Sequence, residues 1–317
     1  MISFRYHIVS IVSVFLALAV GVALGGGPLK GEVDNSLVEQ VEADRQAKAD
    51  LRADIAALQS SDEFTDSFAK TVAPGLIGGS LRGRPVTLVV LPGTQEDNVT
   101  SMTEFIGDAG GTVAGTVRIG EGLVNVTKKQ LVDELGSQLL DGTPDVTVDE
   151  DASGYERIGA LLARAVTTDE DGGAEVDEAS NSILAGLSTA DLMSPAGDLT
   201  QRGSLVVFIT GGATASGSEE EQGAGAIVTS LARAMDANTD GVVVAGPIAS
   251  GREGGVVNAI RSDVVAAKEV SSVDVLGRAA GQVVTVMALA EQAEGGAGHY
   301  GVVNAANGAM PGAEATD

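Results

Sequence analysis

The sequence predicts an α/β protein held at a membrane. It reads as an N-terminal transmembrane helix and a coiled-coil helix, followed by a three-layer domain on a mostly parallel sheet. Three observations predict this. Residues 8–29 contain no charged side chain. Leu37, Val41, Asp44, Lys48, Leu51, Ile55 and Leu58 alternate at spacings of four and three. From residue 86 onward, short apolar runs without period alternate with helical stripes across glycine turns, the pattern of a parallel α/β sheet.

The uncharged run comes first. At the helical rise it extends about 33 Å, against a bilayer core of about 30 Å. Arg5 and His7 precede it and Lys30 follows. Ala23-Leu24-Gly25 also has the small residues that a signal peptidase reads, so a cleaved signal peptide is the rival reading. The length of the run and the helical segment behind it favour a retained anchor over 1–29. Positive charge lies mostly ahead of the run, which directs the N-terminus inward and the bulk of the chain outside the cytoplasm.

Gly25-Gly26-Gly27-Pro28 breaks or loosens the chain at the membrane surface. A helix from about Asp34 to Gln59 follows, inside a coiled-coil segment spanning 30–74. Its seam repeats every 3.5 residues, which predicts a short parallel coiled coil and a homo-oligomer, a dimer first of all. Asp44 and Lys48 interrupt the seam, and polar seam residues commonly fix register. A single amphipathic helix packed on its own domain remains the alternative. Phe64, Phe68 and Val72 continue a stripe up to Pro74.

The α/β domain is expected over 75–295. Gly75 to Pro85 is a glycine-rich connector with Arg82 and Arg84. Val86–Leu91 reads as a buried strand, Asp97–Ala109 as a helix, Thr112–Ile119 as a strand, and Thr127–Leu140 as a helix capped by Thr127. Residues 141–178 form an acidic excursion, with 12 Asp and Glu against Arg157 and Arg164. It reads as solvated surface, with a helix over Gly159–Val166 and an exposed loop over Thr167–Gly173. Ser204–Thr210 and Gly241–Ala245 are further strands, with a helix from Glu219 to Ala237 between them. Gly254–Ile260 reads as helix and Ser271–Val275 as a short strand. Gly277–Glu291 is a strong helix that should meet the sheet through Val283, Val284 and Met287. Residues 296–317 read as a flexible tail. The whole domain is Rossmann-like in its alternation.

Composition narrows the chemistry. A formal charge of −25 and a pI of about 4.2 repel nucleic acid and anionic headgroups. Cysteine and tryptophan are absent and aromatics make up 3%, so thiol chemistry and stacking platforms are out. Asp169-Glu170-Asp171 lacks the spacing and closing Glu of a calcium loop. Neither a G-x-G-x-x-G nor a G-x-x-x-x-G-K-[ST] fingerprint is read in the chain. The turns Leu91-Pro92-Gly93, Thr210-Gly211-Gly212 and Ala245-Gly246-Pro247 should share one sheet edge, where open α/β sheets bind ligands. Tight turning is the simpler reading of them. The histidines are His7 and His299. No G-x-S-x-G elbow accompanies them, and His299 reads as a docking contact beside Tyr300. Cuprous ion prefers thiolate, thioether and imidazole, and the six methionines form no M-x-M or M-x-x-M cluster. No catalytic, cofactor or metal-site residue is assigned, and no enzyme is expected. Nor does the chain carry the ten-residue alternating strands of an outer-membrane barrel.

Two stretches resemble a known family. Met1-Ile-Ser-Phe-Arg-Tyr-His-Ile-Val-Ser10 through Phe15 to Gly25 is one. The other comprises Ser271-Ser-Val-Asp274, Gly281-Gln-Val, Leu289-Ala-Glu-Gln292 and Gly298-His-Tyr-Gly301. Both are similar to the actinobacterial copper transport protein B family (MctB), and the order of anchor, coiled coil and α/β domain matches over essentially the full chain. The resemblance implies a membrane protein of copper efflux or homeostasis in the cell envelope, channel-forming as an oligomer, with copper as the transported ion. It implies no ligand residue. A non-catalytic envelope scaffold, whose α/β head recruits a partner, is the reading that the residues themselves favour.

Overall fold

Leu, Val, Ala and Phe fill a stretch with no competing turn signal, and Phe4–Gly25 forms the helix α1. A computed structural model describes residues 4–25, 29–195, 197, 199–212 and 219–312, without the side chains of 4, 29–36, 195 and 219–222. Arg5–Gly25 is long and apolar enough to cross a membrane, and none of it is buried. The helix α2 runs from Leu29 to Ile77. Two compact units divide at 64/65. The first holds α1 and the greater part of α2. Pro74 sits inside α2 near its end. There it deletes only the bond its own N–H would have given. One more turn follows, past the stop expected at Pro74, before the Gly78 N–H closes on the Pro74 carbonyl at 3.1 Å.

In the second unit the last turns of α2 bury Ala69, Ala73 and Ile77. Then follow β1 (Pro85–Val90), α3 (Glu96–Asp108), β2 (Thr112–Ile119), α4 (Glu121–Val124), α5 (Lys129–Asp141) and α6 (Gly154–Val166). Next come β3 (Ala174–Glu175), α7 (Glu178–Thr189), β4 (Met193–Pro195), β5 (Gln201–Arg202), β6 (Leu205–Ile209) and α8 (Glu219–Asp236). The chain closes with β7 (Gly241–Ala245), α9 (Val256–Ser262), α10 (Ala266–Glu269), β8 (Ser271–Val273), α11 (Ala279–Ala293) and β9 (His299–Tyr300).

The main sheet has seven strands in the order β4-β2-β1-β6-β7-β8-β9, with β3 and β5 forming a separate pair. All pairings in the main sheet are parallel except β2 with β4. The five expected strands are all present, and β1 and β6 are central as their unbroken apolar runs imply. Alternate side chains of the strands feed two cores. Val89, Val206, Phe208, Val242 and Val244 pack with α6, α7, α8 and α9. Val86, Leu88, Val90, Leu205, Val207 and Val243 pack with α3, α11 and the end of α2. The result is the expected three-layer, Rossmann-like domain. In α11, Val286, Ala288 and Leu289 are fully buried. They sit deeper than Met287, which only packs against the core from a partly buried position.

Four expectations change. The 141–178 segment is not simply a solvated excursion. It carries α6, whose Ile158, Leu161, Leu162, Ala163, Ala165 and Val166 are fully buried. Acidic residues crowd its flanks while the helix itself presents a long apolar face. Its true start is a capping box, with the Ser153 side chain accepting from the Glu156 N–H and Glu156 accepting from the Ser153 N–H. Thr167 and Thr168, expected in an exposed loop, are buried. The turn before α5 is capped by Asn125, not Thr127: the Asn125 side chain accepts from the Thr127 N–H at 2.9 Å. Finally, the segment from 296, expected as a tail, begins inside the main sheet. It supplies β9 and a turn hydrogen-bonded up to Gly308, while 313–317 lie outside the described residues.

Candidate functional site

The strand order places a topological switch point between β1 and β6, and ligands of open α/β sheets bind just beyond the carboxyl ends of such strands. The expected turns do line this edge. The Thr94 hydroxyl donates to the Ile209 carbonyl at 2.9 Å, and the Leu91 N–H donates to the same oxygen. A side chain at Gly211 would stand 2.5 Å from the Gly93 carbonyl oxygen. The loops therefore pack backbone to backbone and close the crevice where they are described. Residues 213–218 lie outside the described residues. Beyond them α8 begins at Glu219-Glu220-Glu221.

The richest polar cluster lies at one lateral edge of the sheet, around β8 and β9. Asp274 is fully buried and meets Arg261 at 3.0 Å. Asp274 also accepts the Val302 N–H at 2.8 Å and the Val303 N–H at 2.7 Å. Arg261 donates to Ser272 Oγ at 2.9 Å, to the Tyr300 carbonyl at 2.8 Å and to the Val303 carbonyl. Burial lowers the Arg261 pKa, while Asp274 opposes that shift. All of its charge is met inside the fold, as a buried ion pair requires.

His299 joins this cluster. Its Nε2 lies 3.0 Å from the Ala267 carbonyl, which can only accept, so Nε2 carries the proton. Its Nδ1 then accepts from the Ser272 hydroxyl at 2.9 Å. Burial, and then the Arg261 charge, lower its pKa and hold the ring neutral. A serine and a histidine are thus paired, which sequence spacing did not reveal. Ser272 is fully buried and His299 nearly so. The pairing therefore braces the tail; the hydroxyl reaches no substrate space. Tyr300 donates to Glu291 at 2.6 Å, and burial with that carboxylate pushes its pKa beyond the usual phenol range. The docking contact expected at His299 is internal, and holds β9 to its own sheet. Contrary to the sequence reading, one G-x-G-x-x-G is present, at Gly296, Gly298 and Gly301, but its glycines flank β9 and open no helix.

Soft ligands are dispersed. Met102 is buried in the core with α3, Met193 and Met235 in the core on the other sheet face, and Met310 is exposed. Among the described residues no group of three or more His, Cys, Asp or Glu could hold a metal. Asp171 of the acidic loop reaches Arg84 at 3.4 Å, and Asp240 also meets Arg84. A groove of about 620 Å³ between residues 147–152, α6 and α8 is lined by Asp149, Asp151, Glu156 and Arg233. Its oxygen donors suit hard cations better than a cuprous ion.

Comparison with known proteins adds what the geometry lacks. The profile of the family described as "Copper transport outer membrane protein, MctB" matches residues 1–311. Copper transporters MctB of Mycobacterium bovis and Mycobacterium tuberculosis are each 28% identical over 313 residues, covering 95% of this chain and 96% of theirs. That of Mycobacterium leprae is 26% identical over 319 residues, with the same coverage.

Proposed function

The chain belongs to the MctB copper transport family, and on that premise we propose that it is an envelope protein of copper efflux or homeostasis, anchored by α1. The match over residues 1–311 carries the reading. Copper is the transported species in this proposal. The strands of the described sheet are covered by helices on both faces, so their side chains do not face lipid. A channel would be built from several copies of α1. Ser13, Ala17, Gly21 and Gly25 recur every fourth residue along that helix, a spacing that lets membrane helices approach closely. In this proposal the bulk of the chain lies outside the cytoplasm, because Arg5 sits in the first turn of α1, ahead of the uncharged run.

A strain lacking this gene tests the proposal. It should accumulate copper relative to its parent, and the intact gene should restore the parental level. Unchanged copper content would remove the transport reading. The scattered methionines favour one second reading, a non-catalytic scaffold that recruits a partner to the envelope. In that case the deletion strain would lose the partner from the membrane fraction without changing its copper content.

A further inference from the structure

We infer that residues 37–58 of α2 form a parallel, in-register, two-stranded interface with a second copy of this chain. The apolar seam residues of this stretch are uncovered. Val41 is 46% exposed and Leu58 66%, with Leu37, Leu51 and Ile55 in between. Spacings of four and three assign them to heptad positions. Val41, Lys48 and Ile55 fall at a, and Leu37, Asp44, Leu51 and Leu58 fall at d. Branched residues at a with leucine at d favour two parallel strands, because the a and d knobs enter their holes at different angles.

Charge identifies the occupant as a second copy. Asp44 and Lys48 form two adjacent polar layers of opposite sign. In register, each Asp44 lies beside the Lys48 and the e-position Arg45 of the other copy. A shift of one heptad would set one copy's Asp44 against Leu37 and Val38 with no cation beside it, whereas in register both copies of Asp44 meet one. An antiparallel pairing also matches Asp44 with Lys48, and sets Val41 against Leu51. It would set the starts of the two α2 helices, at Leu29, about 51 Å apart. Here the inference rests on the proposed anchor, because anchoring both copies in one membrane favours the parallel arrangement, which brings their anchored ends together. Three heptads with two polar layers associate weakly alone, and a shared membrane raises their effective concentration. Two α1 helices enclose no lumen, so this dimer would be the unit from which a channel is assembled.

The cysteine-free chain allows a direct test in membranes containing the full-length protein. Single variants Leu37→Cys and Leu58→Cys, treated with a short bis-maleimide, should each give a band at twice the monomer mass. A mixture of Leu51→Cys and Leu58→Cys chains, distinguished by tags, should give no 51–58 product. In a background of Asp44→Leu with Lys48→Leu, that product should appear as the register relaxes. Mixed Val41→Cys and Leu51→Cys chains that cross-link while Leu37→Cys does not would overturn the parallel arrangement. No cross-link at any seam position would overturn the interface. The copper phenotype of the deletion strain is read separately. Cross-links without that phenotype remove only the transport reading, and the phenotype without cross-links removes only the interface.

Discussion

Gly301 has φ +132, and a Cβ there would run into the Asp274 carboxylate. Gly301→Ala should therefore destabilise the chain more than an ordinary loop substitution, by several kcal/mol, seen as a lower thermal midpoint. Asp274→Asn should be comparably harmful, by about 3–5 kcal/mol, because it leaves the Arg261 charge buried without its partner. His299 gives a pH signature. Its folded pKa lies below the ordinary value of about 6.5, so the unfolded chain binds the extra proton first. Stability should fall as pH drops below about 6.5, and His299→Gln should flatten that part of the profile. Asp236 works in the opposite sense. Burial, and then Glu269, push its carboxyl up to about 6, so folding gains as pH falls from there toward 4. Only the difference between wild type and His299→Gln isolates the histidine. Of these roles only a docking contact at His299 was legible in sequence, without its partners. Arg261, Ser272, Asp274 and His299 are ordinary polar residues whose partners lie on separate elements, so only the strand order brings them together.

Elements with a strong local pattern were legible. The helices α1 and α11 and the strands β1, β6 and β7 are apolar enough that only burial or lipid suits them. Short elements were not. β9 has two residues and pairs only because β8 offers an edge. α7 is rich in Ser, Thr and Asn, and buries only Ser180, Ile183, Leu184 and Leu187. α6 was read too late because Gly154, Tyr155 and Glu156 look like loop, although Ser153 and Glu156 together spelled its cap. This helix also sets a packing constraint. A Cβ at Gly159 would lie 3.0 Å from the Ala234 side chain on α8. Gly159→Leu should therefore push α6 from α8 and cost about 1–3 kcal/mol, measurable by denaturant unfolding. Gly159→Ala should cost less, since its neighbour need give only slightly.

At the scale of the whole molecule, the proposed topology makes the second unit accessible from outside. Protease added to intact cells stripped of their wall should degrade it and spare α1. Protection of this unit, with the N-terminus cleaved instead, would reverse the orientation. The ligand inventory makes a second prediction. Cuprous ion titrated into the full chain against a competing chelator should show no tight one-to-one complex, because the thioethers are split between two cores and an exposed tail. A sub-nanomolar site would point first to His299 and Met310, to be tested by Met310→Leu and His299→Gln. The fold class and the family were both legible in the sequence, since each is spread along the chain. The function was legible only through the family, because the described edge of the sheet is closed and offers no chemistry of its own.

The pairing of β9 with β8 also bears on the timing of folding. Asp274 is made well before the amides of Val302 and Val303 that satisfy it. Until those residues leave the ribosome, the growing chain carries an unmet carboxylate and an open sheet edge. Synthesis runs N-terminus first at about 5–20 residues per second, so completion of the domain waits until residues 302 and 303 have been made. A chain stopped at residue 298 should remain protease-sensitive and prone to associate through that edge, although it retains every other strand of the sheet.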